Sequence, residues 1–326
     1  MILPYFTHHA PGTVQECIKI LDDARYKPQI LAGGSDLLVR MKLGLINPEE
    51  LVSLSNIDEL QEISYSPLMG LTIGAGVTLA RMATDPEVNE NCPVLARAAE
   101  LVATTQIRNT ATIGGNILQN TRCQYYNRSA EWAKAVAPCY KRGGDLCHVV
   151  APGKRCFAVY QSDLAPILVA LNASVTLVSR GNARKVELNS LYSKDGVNPF
   201  KDVAGQLMTQ ITIPAASLAN RCNYKKYRLR DGIDYPLAGI AVALKTNEGY
   251  VEELRIGLTG VASYPVLLIL NGENVAGRPL NHNLIKELGQ MVYDAARPLP
   301  NLEGDPARRR AMTRILTEDI LTSFMD

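Results

Sequence analysis

The order of apolar and polar positions divides this chain into a mixed N-terminal region and a strand-rich C-terminal region. In the N-terminal region, residues 13–25 have apolar positions at helical spacing, and the pair Thr13 and Glu16 forms a capping box at their start. The predicted buried face of this helix comprises Val14, Cys17, Ile18 and Leu21. Further patterns predict strands at 29–32, 71–75 and 174–179. They predict helices at 37–43, at 93–105 and at 164–171, and another that begins near residue 78. Residues 111–117 are predicted to form a strand or a tight turn. This alternation predicts an α+β or α/β architecture.

The C-terminal region begins near Ser217, after a strand-like run at 207–213 that stops at Pro214. Its patterns predict strands at 224–230, 238–245 and 251–259, a turn at 246–249, and helices at 281–296 and 305–323. An antiparallel meander covered on one face by helices is the simplest assembly. We therefore predict two domains, 1–216 and 217–326.

Residues 119–161 lack a sustained apolar period and are rich in Gly, Pro, Arg and Lys, which predicts a long structured loop. Loops of this length are uncommon in a compact domain unless a function or a covalent or metal link stabilises them. Four of the seven cysteines of the chain lie here: Cys123, Cys139, Cys147 and Cys156.

Four thiolates are the ligand set of a [4Fe–4S] cluster or of a structural zinc ion. The gaps of 15, 7 and 8 residues match neither paired zinc ligands nor compact ferredoxin runs, so spacing alone leaves a cluster, zinc and unrelated free thiols open. Seven Lys and Arg against two acidic residues between Arg122 and Cys156 favour an anionic cluster, although we expect most of them to form a solvated loop face. His148 is expected to be an exposed or supporting residue rather than a ligand.

Composition excludes several classes of protein. The 326 residues are 47% hydrophobic and 20% charged, which is typical of soluble globular proteins with two or three domains. A net charge of +2 gives no electrostatic reason for binding nucleic acid or acidic membranes, and no apolar run is long enough to span a bilayer. The odd cysteine count and the lack of an apolar signal segment predict a reducing, cytoplasmic location.

Two glycine pairs indicate a phosphate-bearing ligand. Gly33-Gly34 and Gly114-Gly115 each follow an apolar run, where a backbone without Cβ atoms can approach a phosphate closely. Ser35 and Asp36 then start a helix whose N-terminal end is expected to face a diphosphate. Ordinary Gly-Gly turns remain an equal alternative from the residues alone. The segment 74–76 resembles a dinucleotide fingerprint but lacks its third glycine, so we reject a Rossmann unit there.

Four segments together resemble the FAD-binding subunits of the molybdenum hydroxylases, the group of xanthine and carbon monoxide dehydrogenases. They are A-G-G-S-D-L-L at 32–38, A-T-I-G-G-N-I at 111–117, S-D-L-A-P at 162–166 and Q-L-M-T-Q-I-T-I-P at 206–214. The resemblance covers essentially the whole chain. It implies an α+β fold, with a PCMH-type FAD-binding domain of two α/β subdomains and a smaller C-terminal domain of the CO dehydrogenase flavoprotein type.

Most members of that family pass almost directly from the second segment to the third, whereas residues 118–161 intervene here. This insertion is similar to that of the 4-hydroxybenzoyl-CoA reductases, in whose β subunits an extra loop binds a [4Fe–4S] cluster. The likeness is carried by 120–129, 144–150 and 154–160. It implies that the four loop cysteines ligate one such cluster.

The resemblance also implies the FAD contacts. The segment wrapping the diphosphate would be Leu31, Ala32, Gly33, Gly34, Ser35, Asp36, Leu37 and Leu38. The segment lining the flavin and diphosphate side would be Thr112, Ile113, Gly114, Gly115 and Asn116. Asp163 would bind the ribose or adenine end, and Val102 and Leu207 would make apolar contacts. Lys226 is expected either as a flavin-side cation or as a surface strand lysine.

The implied function is electron transfer, with no catalysis on substrate by this chain alone. In the reductases it resembles, ferredoxin donates electrons that pass through the extra cluster and FAD of this subunit. They reach [2Fe–2S] centres on a small partner subunit and a molybdenum cofactor on a large one, in an (αβγ)2 complex. This complex dehydroxylates 4-hydroxybenzoyl-CoA to benzoyl-CoA. A second hypothesis is a FAD subunit of an oxidising hydroxylase that passes electrons to NAD or a quinone, with the loop held by zinc or retained as a remnant. A third is a non-enzymatic iron–sulfur scaffold or sensor.

Overall fold

The computed structural model describes residues 3–23, 28–272 and 275–325 of the chain. They form three sheets with helices around them. Two sheets belong to the N-terminal region and the third to the C-terminal region.

The first sheet is small and parallel, with strand order β1-β3-β2. Its region contains β1 (Thr7–His9), α1 (Val14–Asp22), β2 (Gln29–Leu31), α2 (Leu37–Lys42) and β3 (Glu50–Ser53). Helix α1 confirms the capping prediction, because the Thr13 hydroxyl accepts from the Glu16 N–H at 3.1 Å. Its four predicted apolar positions are all buried. The helix ends at Asp22, and Arg25, the predicted end, lies outside the described residues.

A five-stranded antiparallel sheet with order β4-β5-β8-β6-β7 forms the second part of the N-terminal region. Before the cysteine loop this part contains β4 (Ile63–Ser66), β5 (Gly70–Gly74), α3 (Leu79–Thr84), α4 (Pro86–Asn91), α5 (Pro93–Glu100), α6 (Thr105–Arg108) and α7 (Ile113–Ile117). After the loop, with its short helix α8 (Ala130–Lys134), come α9 (Ala165–Ala170), β6 (Ser174–Ser179), β7 (Asn182–Glu187) and β8 (Leu207–Ile213). Strand β5 pairs antiparallel with both neighbours, so residues 74–76 do not open a Rossmann unit.

Two predictions in this part were wrong in detail. The helix predicted at 93–105 is two helices, because Ala103 takes a left-handed φ of 47° and the Thr104 hydroxyl caps a new helix by accepting from Ile107 N–H. The strand or turn predicted at 111–117 is helix α7, because the Thr112 hydroxyl accepts from the Gly115 N–H at 3.1 Å and starts a helical turn.

The C-terminal region is a four-stranded antiparallel sheet with order β12-β11-β10-β9. Its elements are α10 (Ala215–Leu218), β9 (Arg221–Tyr227), β10 (Ala238–Asn247), β11 (Tyr250–Thr259), β12 (Val266–Leu270), α11 (His282–Ala295) and α12 (Pro306–Thr322). Strand β9 ends three residues before the prediction, because the Asp234 carboxylate accepts from the N–H groups of Leu229 and Arg230 and closes a turn.

This sheet is covered on both faces, not on one as predicted. Ile240, Val242 and Leu244 of β10 face a core shared with α11 and α12. Ala241 and Ala243 face the core of the N-terminal region. Small residues on that second face allow helix α9 to pack directly against the sheet. The two regions therefore share a continuous apolar contact.

No helix in the described ranges is long and apolar enough to cross a membrane.

Candidate flavin groove and cysteine cavity

A groove of about 640 Å³ lies where the turn after β2, the start of α7 and the start of β8 meet. This volume is within the range typical of cofactor sites. Ten predicted FAD residues line it: Ala32, Gly33, Gly34, Ser35, Asp36, Leu37, Thr112, Gly114, Gly115 and Leu207. Residues distant in sequence thus converge on one surface.

The turn at Gly33, Gly34 and Ser35 presents backbone donors. In the described part of the chain, no carbonyl or side chain accepts from the N–H groups of these three residues. Gly34 has a φ of 71°, which few residues other than glycine adopt. Free N–H groups beside a groove are typical of sites that bind an anion such as a diphosphate.

Gly33 and Gly114 also have a purpose that was not predicted. A Cβ on Gly33 would lie 1.8 Å from the Thr110 carbonyl oxygen, and one on Gly114 would lie 2.8 Å from the Ala75 carbonyl oxygen. Both glycines therefore allow two backbone segments to meet, and that contact forms the groove.

A second, smaller cavity continues from the groove and shares four lining residues with it: Ser35, Asp36, Gly115 and Gln119. Its walls include the predicted residues Val102, Asn116 and Asp163. Tyr235, from the turn after β9, also lines it. The predicted FAD residues Leu31, Leu38, Ile113 and Lys226 line neither cavity.

Asp163 forms a buried polar cluster at the end of this second cavity. Its Oδ1 lies 3.1 Å from the Lys226 Nζ, with the two side chains 4% and 2% exposed, and it accepts from the Tyr224 hydroxyl at 2.8 Å. Burial raises the pKa of Asp163, and the Lys226 ammonium opposes that rise. Lys226 also donates to the Leu101 carbonyl at 2.7 Å, so it lies behind Asp163 as a buried residue and not as a surface lysine.

Asp36 connects the groove to the cysteine loop. Its carboxylate accepts from Arg122 Nη2 at 2.8 Å and from the Asn120 N–H at 3.2 Å. Asp36 stands at the N-cap position of α2, as expected of a helix-starting residue, but its carboxylate caps no backbone N–H of that helix. The Arg122 guanidinium also lies over the Tyr235 ring, 4.1 Å from its centroid.

All four loop cysteines line one small cavity, together with Tyr126, Tyr140, Lys141 and Phe157 among others. Cys123 and Cys156 are buried, and Cys139 and Cys147 are half-buried. Burial raises the pKa of Cys156 to about 11. No group of three or more His, Cys, Asp or Glu side chains within 3–23, 28–272 and 275–325 has an arrangement that could hold a metal ion. Within those ranges, the four thiols therefore line one cavity without the arrangement of a metal site.

Lys141 is a half-buried cation of the loop whose ammonium is enclosed by acceptors. Its ammonium donates to Asn120 Oδ1 at 2.6 Å, the Gly196 carbonyl at 2.6 Å, the Thr121 carbonyl at 3.1 Å and the Thr121 hydroxyl. Burial lowers the pKa of Lys141 to about 8.

Four of the seven basic residues of the loop are exposed, as predicted: Arg128, Lys134, Lys154 and Arg155. His148 stacks on Tyr125, with 5.3 Å between ring centroids.

Comparison with known proteins decides the family. Residues 4–216 match the FAD-binding domain in molybdopterin dehydrogenase, and residues 223–324 match the CO dehydrogenase flavoprotein C-terminal domain. The chain belongs to the FAD-binding medium subunits of the molybdenum hydroxylases.

Individual relatives agree with this assignment. The aldehyde oxidoreductase FAD-binding subunit of Escherichia coli K12 is 31% identical over 73% of this chain and 76% of its own length. The glyceraldehyde dehydrogenase medium chain of Sulfolobus acidocaldarius is 27% identical over 97% of both chains. The solved carbon monoxide dehydrogenase of Hydrogenophaga pseudoflava has a chain that superimposes with a TM-score of 0.78 and 26% identity, covering 99% of this chain and 98% of that one.

As a member of this family, the chain is an oxidoreductase subunit that binds FAD, and the groove fits that cofactor. Three of its features match a dinucleotide: the free N–H donors, the left-handed Gly34 and the large volume. Arg40, Arg122 and Gln119 also line these cavities and were not predicted to do so. Arg122 lies in the segment 120–129, and Arg40 lies two residues beyond the segment 32–38, but only the folded chain shows which of their neighbours are spatially close.

Proposed function

We propose that this chain is the electron-transfer subunit of a molybdenum-containing aromatic acyl-CoA reductase of the 4-hydroxybenzoyl-CoA reductase type. In this role it takes electrons from ferredoxin through a [4Fe–4S] cluster and FAD. They continue to [2Fe–2S] and molybdenum centres on a small and a large partner subunit, in a cytoplasmic (αβγ)2 complex. The convergence of all four loop thiols on one cavity is the observation that carries the proposal.

The chemistry of the cavity supports a cluster more than a zinc ion. Zinc holds four sulfurs at about 2.3 Å from one centre, so its ligands must lie close together. A cubane of four irons spreads its thiolates further apart, and four thiols around one cavity suit that arrangement. The buried Lys141 ammonium supplies positive charge that would stabilise an anionic cluster.

The residues of the chain then have distinct tasks. When bound, FAD supplies two-electron chemistry and an iron–sulfur cluster supplies one-electron transfer. Tyr126 and Phe157 line the cysteine cavity and would exclude water from it. Arg122, next to Cys123 and paired with Asp36, fixes the position of the loop relative to the groove.

A cofactor inventory tests the cluster. Full-length chain purified without oxygen is expected to contain FAD, about four irons and little zinc, with an EPR signal after reduction. Cys147→Ala should lose the iron and keep the FAD. Cys222→Ala, which changes a half-buried cysteine outside the loop, should keep both. One zinc per chain, or iron content unaffected by Cys147→Ala, would overturn the cluster proposal.

Activity of the assembled complex tests the reaction. With reduced ferredoxin as donor, it is expected to dehydroxylate 4-hydroxybenzoyl-CoA, whereas the isolated chain should not. Turnover of the thioester by this chain alone would contradict the proposal.

The relatives favour one alternative, because their names describe oxidising enzymes: a glyceraldehyde dehydrogenase and a carbon monoxide dehydrogenase. In that case the chain passes electrons from a partner subunit to NAD or a quinone. A complex that reduces NAD or a quinone with an aldehyde or purine substrate, and that does not accept electrons from ferredoxin, would establish this alternative.

A further inference from the structure

Arg40, on helix α2, is the one Lys or Arg among the described residues that line the flavin groove. The same wall carries Gly33, Gly34 and Ser35, whose N–H groups have no acceptor among the described residues. The positive side chain and the free backbone donors therefore border one cavity.

The Arg40 side chain has no partner within 3–23, 28–272 and 275–325. Its Nε is buried without a hydrogen-bond acceptor, and no carboxylate forms an ion pair with it. A buried guanidinium donor without an acceptor is costly, because it has lost its water and gained no bond in exchange.

The acidic residue nearest along the helix does not neutralise Arg40. Asp36 precedes it by one turn, but its carboxylate accepts from Arg122 and from the Asn120 N–H. With Asp36 engaged by Arg122, no carboxylate among the described residues lining the groove pairs with Arg40.

We propose that Arg40 is the ion-pair partner of the FAD diphosphate, acting together with the free N–H groups of the Gly33–Ser35 turn. A diphosphate diester carries two negative charges and no donors. A guanidinium beside backbone N–H groups matches both properties. The proposal rests on FAD binding by this chain and is independent of the iron–sulfur cluster.

Titration of the deflavinated full-length chain with FAD and with riboflavin tests it, because riboflavin lacks the diphosphate. Arg40→Met is expected to weaken FAD binding by about tenfold to a hundredfold, the loss typical of one charge-assisted pair, and to leave riboflavin binding unchanged. Arg40→Lys should recover part of the loss. Lys42→Met, which removes the same charge from the exposed side of the same helix, should bind FAD like the wild type.

Salt dependence supplies a second measurement that a purely structural role would not change. FAD affinity of the wild type should fall as salt rises, and Arg40→Met should reduce that slope, whereas Lys42→Met should not. Equal FAD affinity and equal slope for Arg40→Met and wild type would overturn the proposal. Equal weakening of FAD and riboflavin would also overturn it, because the effect would then be on the fold of the groove. If the wild type itself bound no FAD, the assignment of the groove would fail instead.

Discussion

Arg122 and Asp36 form a partly buried ion pair with 2.8 Å between Nη2 and Oδ1, and Arg122 is followed directly by Cys123. Asp36 belongs to the turn that lines the flavin groove, and Cys123 lines the cysteine cavity. This ion pair therefore connects the two candidate cofactor sites. Under the proposed function, such a connection would help to keep the distance between the two centres constant.

Asp36→Asn should weaken the connection between the flavin groove and the cysteine cavity. The amide still accepts from the Asn120 N–H but leaves the Arg122 guanidinium without its counter-charge, so we expect a loss of about 1–3 kcal/mol in the free energy of unfolding. Urea denaturation measures the loss, and flavin released on gel filtration measures the effect on the groove. The matched control is Asp319→Asn, which breaks the exposed pair between Lys225 and Asp319 and should cost at most about 0.5 kcal/mol. Equal losses for the two variants would contradict this prediction.

Asn301 is expected to stabilise the cysteine loop from the C-terminal region. Its side-chain amide donates to the Phe157 backbone carbonyl at 2.6 Å, and its backbone carbonyl accepts from the Gln124 N–H at 2.8 Å. These contacts hold the residues that follow Cys156 and Cys123. Asn301→Ala should cost about 1–3 kcal/mol in unfolding free energy and lower the iron content, because the buried Asn301 amide no longer donates to the Phe157 carbonyl. Asn182→Ala, at an exposed position, should change neither quantity. Unchanged iron retention in Asn301→Ala would show that this contact does not support the loop.

Lys141→Met should lower the reduction potential of the proposed cluster, because removing a buried positive charge destabilises the reduced, more negative state. A redox titration followed by EPR gives the potential. Lys154→Met removes a charge from the exposed part of the same loop, where solvent screens it, and should leave the potential nearly unchanged. Lys141→Gln provides a second variant if the methionine prevents assembly. A potential that is the same in the Lys141 and Lys154 variants would contradict an electrostatic role for Lys141.

The cysteines outside the loop should be unreactive in the folded protein. Burial raises the pKa of Cys17 to about 11 and of Cys92 to about 12, and it also raises the pKa of Cys222. At pH 8 these thiols remain protonated, so a thiolate-specific reagent should label them only after unfolding in urea. Because these pKa values are higher in the folded state, the thiols contribute fully to the free energy of unfolding below pH 9, the pKa of a thiol in the unfolded chain. That contribution should be lost as the pH rises toward 11 and 12. Rapid labelling of all three in native protein at pH 8 would contradict this burial.

Several elements could be predicted because local chemistry decides them. Thr13 caps α1, and Asn281 and Asp305 cap α11 and α12, each through a side-chain oxygen that accepts from N–H groups of the first turn. The strand at 174–179 has the predicted bounds, because the buried Val175 and Leu177 alternate with half-buried neighbours as the strand period requires. The division of 93–105 into two helices was missed, since only the left-handed Ala103, a residue that rarely adopts that conformation, interrupts the pattern.

The sequence alone determined the family, the two glycine segments and the presence of four cysteines within residues 119–161, because these are local patterns of residue type. The tertiary structure decided which of those residues meet. It brings Gly33 within contact of Thr110, pairs Asp36 with Arg122 across 86 positions, and leaves Arg40 without an acceptor among the described residues. Such relations depend on the packing of distant segments, and no local propensity encodes the distance between two side chains that the fold brings together.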